Sequence, residues 1–150
     1  MKTLEPILKK HPFFKDLKQE HLDFIAGCAS NVVFTEGEII MRENEPADKF
    51  FLIREGMVAI DIPISEGRVI TIQTVRDGDI VGWSWLIPPY RYRFNCRVVE
   101  DIRAIVLDGK CLREKCEKKH DMGYELLKRL AGVFTQRLES TRKQIVSLTT

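Results

Sequence analysis

The chain has 150 residues, 44% of them hydrophobic and 31% charged, with a formal net charge of +2. That length suits one domain with a buried core, and no apolar run approaches the roughly 18 residues that a bilayer demands. So balanced a charge argues against direct nucleic-acid binding, which gathers Lys and Arg on one face to neutralise phosphates.

Residues 1–30 read as a helical lead-in. The opening Met1 to Pro6 lacks the apolar stretch and small-residue cleavage site of a secretory signal. A cytoplasmic location is therefore expected, and disulfides are not. His11-Pro12-Phe13-Phe14 closes one segment, and Lys18 to Cys28 sets Leu22, Ile25 and Ala26 at helical spacing.

Residues 31–108 change to short β runs broken by turn residues. Val32 to Phe34 precedes Glu36-Gly37, and Ile39 to Met41 precedes the polar loop Arg42 to Asp48. Phe50 to Ile53 ends at Glu55-Gly56, with Met57 to Ile62 directly after it. Ser65-Glu66-Gly67 turns into Val69 to Val75, Asp77-Gly78-Asp79 turns again, and Phe94 to Val99 and Ile102 to Leu107 complete the series. Short strands at this spacing with Gly at the turns predict a mainly β fold, a jelly roll or β-roll with flanking helices. No helices lie between the strands, which disfavours a parallel α/β sheet.

Residues 109–150 return to helix. Cys111 to Lys119 is a short one, its lysines interleaved with Glu114 and Glu117 as on a solvated face. From about Asp121 a long helix carries Leu127, Leu130, Phe134, Leu138, Thr141, Ile145 and Leu148 at steps of three and four. That coiled-coil period predicts a homodimer paired through Leu127, Leu130, Phe134, Leu138 and Ile145.

Catalytic and metal chemistry find little footing. Cys28 and Cys96 sit in apolar patterns as core residues, and Cys111 and Cys116 are spaced too far apart for a zinc knuckle. His11, His21 and His120 are scattered, and none falls in a β run, where a metal-dependent jelly-roll enzyme would carry several. No metal, haem or iron–sulfur site is expected, and no enzyme activity.

Gly37-Glu38-Ile39-Ile40, the loop Glu43 to Asp48 and the run Phe50 to Val58 resemble the cyclic-nucleotide-binding domain of the catabolite activator and fumarate–nitrate regulator superfamily. The resemblance covers roughly Phe13 to Leu148 and implies an eight-stranded β-roll followed by a dimerisation helix. It also implies a regulatory sensor, with cyclic AMP or another nucleotide as ligand. Superfamily transcription factors continue past the long helix into a helix-turn-helix domain; this chain stops at Thr150, so a stand-alone domain without direct DNA contact is expected.

The family's phosphate-binding cassette corresponds to Gly78 to Arg93. Gly82 would permit close backbone approach, the turn near Trp83 would aim N–H groups at an anion with Ser84 as N-cap, and Arg91 or Arg93 would supply the phosphate fork. Trp83 stands where the family carries the Glu that accepts from the ribose hydroxyl, and Trp85 replaces a small residue. Losing a charge-assisted hydrogen bond costs on the order of 1.5–3 kcal/mol, about ten- to a hundredfold in affinity. The candidate ligand residues are thus Gly82, Trp83, Ser84, Trp85, Arg91 and Arg93, for a nucleotide-like or other anionic molecule. The competing expectation is a ligand-free dimeric scaffold, its pocket plugged by tryptophan, that regulates a partner protein.

Overall fold

The structure, a computed structural model, describes residues 4–149; the reading of Met1 to Thr3 lies outside the described residues. Three helical segments lead in: α1 (Glu5–Lys10), a single 3-10 turn (Pro12–Phe14) and α2 (Gln19–Ala26). Six strands follow: β1 (Ala29–Phe34), β2 (Ile39–Met41), β3 (Lys49–Ser65), β4 (Arg68–Arg76), β5 (Ile80–Val81) and β6 (Asn95–Asp108). A 3-10 turn (Trp83–Trp85) lies between β5 and β6, and α3 (Gly109–Lys118) and α4 (His120–Leu148) end the fold.

Every strand pairing is antiparallel, in the order β1-β6-β3-β4, with β2 also on β6 and β5 also on β3. Two pairs of short runs in the sequence prove to be single long strands. Glu55-Gly56 does not turn the chain back; it bends β3, and the β3–β6 register shifts around Glu55 and Met57. Gly56 sits at φ +103°, where a Cβ would fall 2.2 Å from the Asp101 carbonyl oxygen. Only glycine can pass β6 that closely. Its N–H donates to Asp77 Oδ1 at 2.9 Å, which holds the bend. With β3 and β6 each counted as two segments, the six strands become the eight of a β-roll.

The unbroken apolar run of β3 follows from two cores. Side chains alternate across a strand, so Phe50 and Leu52 enter a core shared with the helices, beside Leu8, Phe14, Leu22 and Leu112. Phe51 and Ile53 point the other way into the roll, against Val58, Ile60, Cys96 and Val98. Each fully buried side chain of this size contributes roughly 1.5–3 kcal/mol.

Two sequence expectations are corrected. Cys28 and Cys111 form a disulfide, although none was expected. The Asp108 N–H donates to the Cys28 carbonyl, and the Asp108 carboxylate caps α3 by accepting from the Cys111 N–H. These contacts bring the first turn of α3 to the start of β1. Second, Leu130 is fully buried beside Leu126 and Met122 in the helix-side core, and Phe134 packs on Trp83 at 5.1 Å between ring centroids. Leu130 thus belongs to the domain's own packing and not to a free seam, while Phe134 is half-buried with one face on Trp83. Leu127, Leu138 and Ile145 are exposed by 46%, 67% and 57%. Among the described residues no helix is long and apolar enough to cross a membrane.

Candidate functional site

Helix α4 runs from the helix-side core out across the mouth of the roll. Its first half is anchored by Met122, Leu126 and Leu130 and by Arg129, whose Nη1 donates to the Phe13 carbonyl at 2.8 Å. Its second half is stitched to β4: Gln73 Nε2 donates to the Arg137 carbonyl at 3.2 Å, and Gln144 Nε2 donates to that of Ile72. Between α4 and the roll lies a cavity of about 570 Å³, within the usual range of small-molecule sites. Ile60 and Ile72 of the strands form its floor, Trp83, Ser84, Ile87, Arg93 and Phe94 one wall, and Phe134, Arg137, Leu138 and Thr141 of α4 the other.

The structure divides the sequence candidates. Trp83, Ser84 and Arg93 line the cavity. Trp83 is half-buried, edge-on to Phe94 and to Phe134. Gly82 adopts φ +93°, as close approach requires, but what approaches is β3: a Cβ there would meet the Lys49 carbonyl oxygen at 2.8 Å. Ser84 is not the N-cap; Gly82 holds that position and caps with no side chain. Trp85 is fully buried beside Phe50 in the helix-side core, away from the cavity. Its carbonyl accepts from Arg113 Nη1 at 2.6 Å, tying the turn to α3. Arg91 is exposed and donates to the Asn44 carbonyl at 2.7 Å, as Pro46 and Arg91 pair their backbones. It braces the loop before β3, leaving Arg93 as the cassette arginine at the cavity.

Arg137 escaped the sequence reading. Its Cζ lies 4.8 Å from the centroid of the Trp83 ring, a cation–π stack. Nη2 donates to the Ile80 carbonyl, while Nη1 is buried without a hydrogen-bond partner. Burial pushes its pKa down to about 10, opposed chiefly by the charge of Asp79, so it stays cationic at neutral pH. The available signal was a basic residue inside the helical repeat Phe134, Leu138, Thr141, a stripe that the dimer reading had absorbed. Among the described residues no acidic side chain lines the cavity.

A family model for the cyclic nucleotide-binding domain matches residues 31–119, which include β2 to β6 and the cassette. The chain belongs to the cyclic nucleotide-binding domain family. The domain is 22% identical over 145 residues to a CRP-like cAMP-activated global transcriptional regulator of Mycobacterium tuberculosis, spanning 97% of this chain and 63% of that protein's length. A solved protein of Geobacter metallireducens assigned to cyclic nucleotide binding is 30% identical, with a TM-score of 0.80 over 89% of this chain and 97% of its own. A triple mutant of the regulatory subunit of a cAMP-independent protein kinase A from Trypanosoma brucei, solved with cAMP bound in its A site, shares the fold at 19% identity, with a TM-score of 0.72 over 97% of this chain and 50% of that one. The matched relatives include regulators and, at 28% identity over 141 residues, cyclic nucleotide-gated ion channel 2 of Arabidopsis thaliana, of which this chain spans 19%.

Proposed function

We propose that the chain is a single regulatory domain that senses an anionic small molecule in the cavity between the cassette and α4, and signals through that helix. The observation that carries this reading is the cavity itself. One of its walls is the Trp83–Phe94 segment and the other is α4. A ligand seated there touches the element that would carry the output, and it biases α4 by as much as it prefers one helix position.

The fold does not choose the ligand. Similar proteins include a cAMP-activated regulator and a cAMP-independent kinase subunit that was solved with cAMP as a triple mutant. In this chain Trp83 offers an indole N–H donor and a ring where a carboxylate would accept from ribose. Hydrogen-exchange mass spectrometry during titration with cyclic nucleotides and small organic acids tests the proposal. A binding compound should slow exchange in residues 130–145 together with the cassette; protection that never reaches α4, or no binding by any compound, rejects it.

The exposed row Leu127, Leu138 and Ile145 supports a second element of the reading, a homodimer paired through α4. The ligand-free scaffold is the weaker alternative, because Trp83 lines the cavity without filling it.

A further inference from the structure

The cavity pairs an apolar lining with a cation that lacks a counter-ion. Its floor and walls are aliphatic and aromatic, interrupted by the neutral polar groups of Gln73, Ser84 and Thr141 and by two arginines. Among the described residues no carboxylate forms an ion pair with Arg137; Asp79 acts on it only as a nearby charge. Its stem and guanidinium are already placed, by the Trp83 stack and the Ile80 carbonyl, and Nη1 remains buried with both hydrogens unused. A buried donor without an acceptor is unfavourable, and a guanidinium satisfies that need best with a carboxylate. Arg93, exposed on the same cavity, adds positive potential at its edge.

We infer that the ligand is an apolar monocarboxylate, an aryl or alkyl acid, whose carboxylate is held by Arg137 of α4 while its body lies against Trp83, Phe94 and Ile72. This rests on the reading of the cavity as the sensing site. A cyclic nucleotide fits the lining poorly. Its 2′-hydroxyl and purine edge want paired acceptors and donors, and the cavity's described lining supplies no acidic acceptor. An apolar body asks for none, and its carboxylate meets the unpaired donor of Arg137 once Nη1, which solvent does not reach in the ligand-free fold, turns toward the cavity. Because the anchor stands on α4, the acid would pull directly on that helix.

Isothermal titration of the full chain with 1-naphthylacetate, decanoate, their neutral counterparts 1-naphthylacetamide and decanol, and cyclic AMP provides the test. At least one acid should bind at least tenfold more tightly than its neutral counterpart. Arg137→Met, which keeps an apolar stem against Trp83, should erase that preference, and Arg137→Lys should restore part of it. Equal binding of acid and neutral counterpart by the unaltered chain overturns the anchor whether or not the variants fold. Binding of cyclic AMP with neither acid bound overturns the ligand class and leaves the sensor reading intact. Silence from all five compounds overturns both.

Discussion

His11 shows how much of this fold hangs on single polar groups. It is buried at the end of α1, with Nδ1 accepting the Phe13 N–H at 3.1 Å and Nε2 3.0 Å from the Ile53 carbonyl. Only the neutral ring protonated at Nε2 satisfies both contacts, since a proton on Nδ1 would face another donor. Burial lowers its pKa below 6.5, opposed by the Ile53 carbonyl and Asp79 and assisted by Arg54. The unfolded chain therefore takes up this proton first on acidification, and stability falls as pH drops through the unfolded value toward the lower folded one. Urea midpoints should decline from pH 7.5 to pH 5.5, and His11→Gln should be less stable at pH 7.5 but flatter across that window. A variant with the same slope as the unaltered chain would remove His11 as the cause. The sequence marked His11 as part of a segment end and as one of three scattered histidines, but not its hydrogen bond, because its partner Ile53 lies 42 residues away. Gly82 was legible as a site of close approach, since its conformational freedom is local. Which backbone it approaches was not.

Elements were more legible than contacts. The runs around Ile39, Phe50, Met57, Val69 and Ile102 all lie in strands, because alternation and turn residues are local signals. Joining the halves of β3 and β6 required the passage of Gly56 beside Asp101, which is tertiary. For α4 the apolar repeat was visible, but period alone cannot say which edge of a stripe meets the same domain. At 3.6 residues per turn Leu127 and Ile145 lie about five whole turns apart, on one line of the helix. Leu130 falls to the side that is buried. The double variant Leu127→Glu/Ile145→Glu should thus halve the mass in light scattering while leaving the circular dichroism unchanged. Leu130→Glu should instead lose the cooperative fold, since an unpaired charge in that core costs several kcal/mol. A double variant with unchanged mass, whether monomeric or dimeric, would show that this row does not pair two chains.

At the scale of the molecule, the cassette is held by a route through α3. Arg113 of α3 donates to the Trp85 carbonyl and stacks 4.2 Å from the centroid of the Tyr90 ring, and Trp85 packs on Phe50 of β3. The Cys28–Cys111 disulfide fixes the first turn of the same helix to the start of β1, across a separation of 83 residues. That separation hid the pair: Cys28 reads as a core residue and Cys111 only as too far from Cys116 for a zinc knuckle, and only the fold brings Cys28 and Cys111 together. A closed loop of this length restricts the unfolded chain strongly, so Cys28→Ser should cost about 2–4 kcal/mol of stability. The other two cysteines, Cys96 and Cys116, are free and buried, with thiol pKa values pushed up to about 12 and about 11 by desolvation. Alkylation reacts with the thiolate, so the folded protein should resist iodoacetamide at pH 8. Unfolded in guanidinium without reductant it should take up two alkyl groups by mass spectrometry, and after reduction all four cysteines should react. Four additions without reductant would mean that Cys28 and Cys111 are thiols, and α3 would then be positioned by its non-covalent contacts, among them those of Asp108, Arg113, Leu112 and Lys115.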